Sequence, residues 1–357
     1  MNVLVVEPWF GGSHRAWAEG LQKHSRHDVT LLTLPDEAWK WRMRGGAITL
    51  AHQVTSRPDV LLASSLLDVP SFLGHARSML GDVPVVLYMH ENQLTYPIPD
   101  NARRDMGLAF INWSSMAAAD VVVFNSEFHR AVWFEALPGL LGSYPEPRHL
   151  RLVAAVAGRS SVLPVGVEMD WLDEPIAPKP DPPLIVWNQR WEHDKDPDTL
   201  AWAVKELMSD DIEFRVAVCG EPSLVRVPAS LSGLPGVLGE RLVHYGYADR
   251  LTYKALLRES AIVVSTARHE FFGVAVVEAM AAGARPVLPN RLSYPGLIPL
   301  ETHESVLYGN RAELAAMLCA SLTVRNDPVT DQTTLAARRF DWRAVAPDYD
   351  ELLAALP

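Results

Sequence analysis

The stretch from Ala261 to Leu288 constrains the fold more than any other part of the chain. It opens with a short β-branched run, Ala261 to Thr266, which is typical of a buried strand in a parallel sheet. A polar turn follows, and the residues from Gly273 onward predict a helix that is closed by Gly283. The next apolar run predicts a second strand. Strand, helix and strand in this order predict an α/β protein with parallel strands.

Two carboxylates in this stretch have a Glu-x7-Glu spacing, with Glu270 in the turn before the helix and Glu278 inside it. The backbone N–H groups at Phe272 and Gly273 would face a negatively charged phosphate at the start of the helix. The two carboxylates could then accept hydrogen bonds from the sugar and the ribose of a sugar nucleotide. Alternatively, the two glutamates form a solvated helix face. Apolar neighbours such as Phe271 argue against that alternative, because carboxylates in apolar surroundings need partners.

The same alternation of apolar runs and helical segments fills the rest of the chain in two halves. Between them, Glu174 to Pro183 is too rich in proline for an internal element and predicts an interdomain linker. We therefore predict domains at 1–174 and 184–340, and a C-terminal segment, 341–357, that packs back against the first domain. The predicted fold is α/β, with two doubly wound, Rossmann-like domains facing across a cleft.

Composition narrows the class of protein. The chain of 357 residues is 48% hydrophobic and 21% charged, which is typical of a globular protein. The N-terminus lacks the basic and long apolar segments of a signal peptide, so we expect a cytoplasmic protein that does not enter a membrane. A formal charge of −11 argues against non-specific coating of nucleic acid, but it leaves room for a local basic surface.

A glycine turn separates the first predicted strand from the first helix. It contains Gly11, Gly12 and His14. Backbone N–H groups in such a turn can meet a phosphate or a sugar. The glycines could equally serve only the tight turn, and His14 could be either a ligand contact or a polar residue of the helix start.

Basic and aromatic residues are interleaved around Trp41, Arg42 and Arg44. Such a run can pair with phosphates while it stacks on bases, although tryptophans packed inward beside solvated arginines would give the same pattern. Trp187 and Trp191 also lie beside charged residues, which weakly favours ligand stacking over core filling.

A dense polar cluster follows the very apolar run that ends at Met89. It comprises His90, Glu91, Asn92, Gln93 and Tyr96. Open α/β sheets bind ligands at the carboxyl ends of their strands, so this cluster predicts a site. Arg103 and Arg104 come next, at a predicted helix start, where cations are unfavourable unless they meet an anion.

A charged loop follows the first strand of the second half. Its Arg190 and Lys195 could clamp a diphosphate. Alternatively, Glu192, Asp194 and Lys195 form surface salt bridges among themselves. Glu221 lies in a similar loop at the end of another predicted strand.

Together these motifs resemble those of the retaining GT-B glycosyltransferases of family 4. The resemblance implies that the first glutamate of the Glu-x7-Glu motif binds the donor sugar, the second binds the ribose and the basic pair binds the diphosphate. A histidine like His90 lines the donor-sugar pocket in that family. The matching residues are Gly11, Gly12, Arg190, Lys195, Glu270 and Glu278.

Longer motifs are similar to those of one subfamily, the tRNA-queuosine α-mannosyltransferases. They include GGSH, HENQLTYP, WNQRWEHDKDP and STARHEFFGVAVVEA. This resemblance implies transfer of mannose from GDP-mannose to queuosine at the wobble position of tRNA-Asp, with tRNA as the macromolecular partner.

We accordingly predict three groups of site residues. The predicted catalytic residues are His90, Arg190, Lys195 and Glu270. The predicted donor contacts are Gly11, Gly12, Glu221, Phe271, Phe272, Gly273, Val274 and Glu278. The predicted acceptor contacts are His14, Trp41, Arg42, Arg44, Glu91, Asn92, Gln93, Tyr96, Arg103 and Arg104. We expect neither a metal nor another cofactor, because the sequence has no Asp-x-Asp cluster in a suitable place.

Two other functions fit the same motifs. One is a family-4 transferase that acts on a small molecule, a lipid or a glycan. The other is a two-domain protein that binds a sugar nucleotide without turning it over.

Overall fold

The computed structural model divides the chain into two compact units. The first contains Met1–Val167 and Trp342–Pro357, and the second contains Glu168–Asp341. The residues that the structure describes are 1–98, 103–145, 148–174, 178–209, 212–221, 227–324 and 327–356. Among them, no helix combines the length and the hydropathy needed to cross a membrane.

The first unit is built on a sheet of six parallel strands in the order β2-β1-β3-β4-β5-β6, as counted over the described residues. The strands are β1 Asn2–Phe10, β2 Asp28–Pro35, β3 Val60–Ser64, β4 Val85–Met89, β5 Val121–Phe124 and β6 Ser160–Val162. Every residue of β3 and β4 is buried, which explains their continuous apolar sequences.

Helices cover this sheet. Their bounds are Gly12–His24, Trp39–Trp41, Ala47–Ala51, Val69–Leu80, Met106–Ala118, Glu127–Gly142, Leu150–Gly158 and Trp342–Ala354, with a π-helical turn at Arg42–Gly46. Ser126 caps one of them as its sequence predicts, because its side chain accepts a hydrogen bond from the backbone N–H of His129.

The second unit has its own sheet of six parallel strands within the described residues, in the order β12-β11-β10-β7-β8-β9. The strands are β7 Leu184–Asn188, β8 Arg215–Cys219, β9 Leu242–Gly246, β10 Ser260–Val264, β11 Arg285–Pro289 and β12 Leu307–Tyr308. The α-helices are Pro197–Leu207, Ala229–Ser232, Leu234–Leu238, Arg250–Glu259, Val274–Ala281, Tyr294–Leu297, His303–Val306, Arg311–Thr323 and Pro328–Arg338. Short 3₁₀ helices in the described residues are Asp170–Leu172, His193–Lys195, Gly239–Arg241 and Leu300–Thr302.

The units divide earlier than the proline-rich segment indicates. The second unit begins at Glu168, whereas the predicted first domain extends to residue 174. Arg258 donates a hydrogen bond of 2.5 Å to the carbonyl of Trp171, and Lys179 donates one of 2.7 Å to the carbonyl of Ala282. The predicted linker is therefore wrong as a domain boundary. Its prolines exclude regular structure, but the segment is fastened to the second unit, with residues 175–177 outside the described part.

The C-terminal helix Trp342–Ala354 belongs to the first unit. The Trp342 ring occupies space that Cβ atoms on Gly20 and Gly166 would need, since those atoms would lie 2.0 Å and 2.2 Å from it. Trp17 also donates a hydrogen bond of 3.2 Å to the Tyr349 hydroxyl. Two glycines and a buried tryptophan thus seat the last helix.

Candidate active site

Each sheet reverses its strand order at one point, and the strand-end loops there are the expected place for a ligand. In the second unit, β7 and β10 are neighbours and pair in parallel. The loop after β7 carries Arg190 and Lys195, and the loop after β10 carries Glu270. Residues far apart in the sequence are therefore brought to one edge of the sheet.

Lys195 and Glu270 form the centre of this site. The Lys195 ammonium nitrogen lies 3.1 Å from Oε2 of Glu270 and 3.2 Å from Oδ2 of Asp194. It also donates a hydrogen bond of 2.9 Å to the carbonyl of His269. Only 9% of the Lys195 side chain is exposed, against 23% for Glu270. The structure thus joins two of the predicted catalytic residues in one largely buried ion pair.

Asp194 adds a second negative charge beside Lys195. Burial alone would raise the pKa of the Asp194 carboxyl, but the charge of Lys195, helped by Arg190, outweighs burial and lowers this pKa. The side chain of Asp194 is fully buried. Asp194 therefore stays ionised and balances Lys195 even if Glu270 turns to a ligand.

A hydrogen-bond network fixes the two loops against each other. Thr266 donates a hydrogen bond of 2.7 Å to the Lys195 carbonyl and accepts one of 3.2 Å from the indole nitrogen of Trp187. Gln189 donates a hydrogen bond of 2.8 Å to the hydroxyl of Ser265. The Lys195–Glu270 pair consequently rests on buried groups and is positioned before any ligand arrives.

Trp187 and Trp191 are core residues. Their exposed fractions are 0% and 5%, and Trp191 packs against the Tyr245 ring with the centroids 4.7 Å apart. The expectation that they stack on a ligand is wrong, because both rings are buried inside the unit.

The helix Val274–Ala281 has Gly273 as its N-cap, so it begins one residue after the start that the sequence predicts. Gly273 has φ +109°, which side chains with a Cβ rarely adopt. Phe271 and Phe272 are each only 4% exposed, and the N–H of Phe272 donates a long hydrogen bond of 3.4 Å to Oε1 of Glu270. Their rings are therefore packed inside the unit, and only backbone contacts to a donor remain a prediction for Phe271, Phe272, Gly273 and Val274.

Glu278, on the same helix, belongs to a second hydrogen-bond network. Its Oε2 accepts a hydrogen bond of 2.8 Å from the Tyr253 hydroxyl, which itself accepts one of 2.9 Å from the Asn188 side chain. Burial raises the pKa of Glu278 above its ordinary value. The predicted bond to a ribose would add to the bond with Tyr253, a partner that the local sequence does not reveal.

Arg190 and Glu221 lie at the same carboxyl edge but are exposed. The Arg190 side chain is 56% exposed and its Nη1 lies 3.1 Å from Oε1 of Glu192. Arg190 also lowers the pKa of buried Asp194, so its charge reaches the Lys195 group.

In the first unit, the strand order reverses between β1 and β3. Gly11 and Gly12 follow β1, and the helix Gly12–His24 starts at once. A Cβ on Gly11 would lie 2.3 Å from Oδ2 of Asp36, so this glycine is needed for packing. A Cβ on Gly12 would meet nothing within 4 Å, and its φ is +50°. Gly12 thus borders open space, and the predicted donor contact of the two glycines stays a prediction.

A buried triad of Glu7, His14 and His90 lies beside this turn. Oε2 of Glu7 lies 2.8 Å from Nδ1 of His14, and Oε1 accepts a hydrogen bond of 2.9 Å from the N–H of Trp9. The rings of His14 and His90 have centroids 4.3 Å apart. As a carboxylate, Glu7 can only accept, so Nδ1 of His14 carries the proton. Sequence reasoning missed Glu7 because it reads as one more residue of the first strand.

His90 is held neutral. Burial lowers its pKa well below the ordinary value, and the neighbouring His14 and His129 add to the effect. Its Nε2 is buried and has no hydrogen-bond partner among the described residues. Donor atoms of Glu7, His14 and His90 lie within 4.8 Å of one another, a spacing that could also hold a metal ion. The expectation that no metal is needed stays a prediction.

The loop after His90 is held by its own side chains. Asn92 is fully buried, and its Oδ1 accepts hydrogen bonds from the N–H groups of Leu94 and Thr95 at 3.0 Å and 2.8 Å. The Asn92 side chain therefore holds the loop, and its expected contact with the acceptor stays a prediction. Gln93 is nearly buried and donates a hydrogen bond of 2.8 Å to Glu91. Glu91 and Tyr96 are half-buried, and their acceptor contacts stay predictions.

Arg103 and Arg104 precede the helix rather than begin it. The helix is Met106–Ala118, and Asp105 caps it by accepting a hydrogen bond from the Gly107 N–H. Arg104 donates a hydrogen bond of 2.8 Å to the Gln93 carbonyl, while Arg103 is exposed. The argument from cations at a helix start is wrong here, since a capping carboxylate occupies that position.

The aromatic and basic run is largely exposed. Trp41 is 63% exposed. Arg42 donates a hydrogen bond of 3.2 Å to the Pro35 carbonyl, and Arg44 pairs with Asp105 at 2.5 Å. A π-helical turn at Arg42–Gly46 interrupts the helix there. The alternative of an inward-packed tryptophan is thereby excluded for Trp41.

Comparison with known proteins identifies the family to which the whole chain belongs. Residues 2–167 match the family described as tRNA-queuosine alpha-mannosyltransferase N-terminal, and residues 170–316 match Glycosyl transferases group 1. The chain is 34% identical over 312 residues to a tRNA-queuosine alpha-mannosyltransferase of Drosophila melanogaster, which covers 84% of this chain and 82% of that protein. The chain belongs to the tRNA-queuosine alpha-mannosyltransferase family. It is therefore a glycosyltransferase, and the resemblance seen in the motifs is confirmed.

More distant proteins agree with this assignment. A GDP-mannose:cellobiosyl-diphosphopolyprenol alpha-mannosyltransferase of Komagataeibacter xylinus is 23% identical over 336 residues, 82% of this chain and 83% of that protein. The structure of a sucrose-phosphate synthase from Thermosynechococcus elongatus superposes with a TM-score of 0.71 at 16% identity, over 100% of both chains. The predicted α/β fold of the GT-B class, with two Rossmann-like units, is confirmed.

Proposed function

We propose that this chain transfers mannose from GDP-mannose to queuosine at the wobble position of tRNA-Asp, with retention of configuration. One observation carries the proposal: Lys195 and Glu270 form an ion pair at 3.1 Å on the ligand-binding edge of the second sheet. The relative from D. melanogaster, named for tRNA-queuosine, supports the acceptor. The relative from K. xylinus, named for GDP-mannose, supports the donor.

The proposed donor site uses the charges around Lys195. Lys195 would hold the diphosphate, and the exposed Arg190 would turn from Glu192 to join it. Glu270, which is 23% exposed, would accept hydrogen bonds from mannose hydroxyls. Glu278 would bind the ribose. Since Asp194 continues to balance Lys195, this rearrangement leaves no buried charge unpaired.

The proposed reaction takes place on one face of the sugar. The bond from mannose C1 to the diphosphate oxygen breaks as the bond from C1 to an acceptor hydroxyl oxygen forms. The proton of that hydroxyl passes to the departing diphosphate, so the products are mannosylated tRNA and GDP. Lys195, Arg190 and the helix start at Gly273 would stabilise the charge that develops on GDP, and such preorganised electrostatics is usually the largest catalytic contribution.

The first unit is proposed to serve the acceptor. The exposed Trp41 offers a stacking surface, and Arg42, Arg44 and Arg103 offer positive charge for phosphates. The unpartnered Nε2 of His90 would form a hydrogen bond with a sugar hydroxyl. A cytoplasmic location is part of this proposal, because the proposed tRNA substrate is used there.

Incubation with labelled GDP-mannose and two tRNA preparations tests the proposal. One preparation carries queuosine and the other carries guanine at the same position. We expect label only in the queuosine-containing tRNA-Asp. Label in both preparations, or transfer to a lipid-linked or free glycan in place of tRNA, would overturn the proposed acceptor.

A further inference from the structure

A second basic site lies in the second unit, next to the candidate active site. It is a cavity of about 320 Å³ lined by three arginines, Arg268, Arg291 and Arg311, and by one carboxylate, Asp196. Four loops at the carboxyl edge of the sheet contribute these residues. They follow β7, β10, β11 and β12, so the fold assembles the cluster from distant parts of the chain.

The cavity carries a surplus of positive charge. The Nε atom of Arg268 is 3.0 Å from Oδ2 of Asp196, so the carboxylate of the cavity forms an ion pair with this arginine. Neutral oxygens hold the other two guanidinium groups. Arg291 donates to the Ala267 carbonyl at 3.0 Å, and Arg311 donates to the Thr199 hydroxyl at 2.8 Å. Three cations against one anion leave a formal charge of +2 among the lining residues.

Two helices begin at the same place. Pro197–Leu207 starts after Asp196, and Arg311–Thr323 starts after Asn310. The side chains of Asp196 and Asn310 cap these helices, so the attraction for an anion comes mainly from the guanidinium groups. Arginine also presents paired N–H donors that fit phosphate oxygens. The cavity therefore offers the N–H donors and the positive charge that a phosphate group binds.

The cavity shares its supporting loops with the candidate active site. Asp196 directly follows Lys195, and Arg268 lies in the loop that also carries Glu270. The N–H of Arg268 donates a hydrogen bond of 2.7 Å to the carbonyl of Asp194, which ties the two loops together. A phosphate bound here would lie beside the proposed reaction centre.

We propose that this arginine cavity binds a backbone phosphate of the RNA acceptor near the nucleotide that receives the sugar. The inference rests on the proposed function and extends it to a contact surface in the second unit. All three arginine side chains are exposed, so a polymer can reach them without entering the protein. In a chain with a formal charge of −11, such a local positive cluster is where a polyanion gains attraction.

The test compares tRNA binding by the wild type and by the double variant Arg291→Gln/Arg311→Gln over a series of salt concentrations. The matched control is Arg77→Gln/Arg338→Gln, which removes the same charge from exposed arginines outside both sites. We expect the first pair to weaken binding about 10-fold or more and to reduce the slope of log K against log salt by about 1 to 2. The control pair should change neither quantity appreciably.

Two further variants separate charge from packing. Arg291→Lys/Arg311→Lys restores the charge without the guanidinium contacts to Ala267 and Thr199, and it should recover most of the salt slope. If both the lysine and the glutamine pairs bind tRNA with the affinity and slope of the wild type, the inference is overturned. It is also overturned if the lysine pair has as small a salt slope as the glutamine pair, because packing rather than charge would then be responsible.

A parallel titration with inorganic phosphate at constant ionic strength distinguishes the source of the phosphate. If the glutamine pair loses binding of inorganic phosphate but keeps its affinity for tRNA, the cavity takes a small anion and the inference is wrong. A wild type that fails to bind tRNA at any salt concentration overturns the proposed function itself, and that failure is visible before any variant is made.

Discussion

The two sheets place different chemistry at their equivalent reversal points. In the first unit, Glu7 and His14 satisfy each other by a hydrogen bond of 2.8 Å next to a neutral His90. In the second unit, Lys195 lies between the two carboxylates Asp194 and Glu270. One site is a buried polar network in which His90 is neutral. The other is a charged cluster in which Lys195 has two carboxylate partners, although one would balance its charge.

This difference indicates a division of labour. A surplus carboxylate beside a buried ammonium group can exchange its partner for a ligand without leaving a charge unpaired. A neutral imidazole held by burial can exchange hydrogen bonds with hydroxyl groups but cannot neutralise a diphosphate. The charged cluster therefore suits the activated donor, and the neutral network suits uncharged sugar hydroxyls.

Removing the ammonium group should have the largest effect. Lys195→Met leaves buried Asp194 and half-buried Glu270 without their cation, so we expect a loss of about 3–5 kcal/mol in the free energy of unfolding, toward the lower figure because Glu270 is partly solvated. Mannose transfer should also fall by at least about 10²–10³-fold. Denaturant unfolding and the transfer assay measure the two effects. Normal stability in this variant would show that the carboxylates do not depend on Lys195.

Removing the second carboxylate should separate activity from stability. In Glu270→Gln, Asp194 still balances Lys195, so unfolding should change by no more than about 1 kcal/mol. Transfer should nevertheless fall by about 10²–10³-fold, since the sugar loses its carboxylate partner. The same two assays apply. Full turnover by Glu270→Gln would remove this residue from the proposed donor site.

The corresponding change in the first unit should be milder for activity. Glu7→Gln keeps an oxygen for the Trp9 N–H but offers His14 an amide donor, so the proton on His14 should move from Nδ1 to Nε2. We expect a cost of about 1–3 kcal/mol in stability and a smaller loss of turnover than for Glu270→Gln. Nitrogen chemical shifts of the His14 ring would report the tautomer.

Glu19→Gln serves as the matched control for that experiment. Glu19 is an exposed carboxylate on the same helix as His14, paired with Arg15 at 2.7 Å. Its loss should change stability by less than about 0.5 kcal/mol. A Glu7→Gln variant that behaves like this control would contradict the idea that Glu7 positions His14.

The smallest expected effect is on pH dependence. The folded state depresses the pKa of His90 below its ordinary value of 6.5. At pH values between the pKa of His90 in the folded chain and its ordinary value of 6.5, the unfolded chain binds more protons than the folded one. The stability contribution of neutral His90 is therefore complete above pH 6.5 and is lost as the pH falls through this window. Denaturant unfolding of the wild type and of His90→Gln at several pH values should show a weaker acid dependence in the variant. Equal dependence would place the titration elsewhere.

Much of the fold could be predicted from local pattern. The predicted strand Leu184 to Asn188 coincides with β7, because all five of its residues are buried and the sequence is apolar throughout. The helix start next to Gly273 was also predicted, and the positive φ of Gly273 explains why a glycine stands there. The start predicted at Arg103 was wrong because the capping Asp105, two positions later, was not weighed against the charges before it.

Contacts between distant residues could not be predicted by the same reasoning. Lys195 and Glu270 are 75 positions apart, and the family resemblance placed them in one site without predicting their ion pair. The bond between Tyr253 and Glu278 depends on how two helices pack, which no local spacing encodes. The arginine cavity is a still clearer case, because each of its arginines reads alone as an ordinary surface residue.

The structure of the complex with GDP-mannose tests the central claim most directly. We predict mannose hydroxyls within hydrogen-bond distance of the Glu270 carboxylate, the diphosphate in contact with Lys195 Nζ, and the ribose at Glu278. A donor bound with its sugar away from Glu270 and its diphosphate away from Lys195, while their ion pair stays intact, would contradict the account.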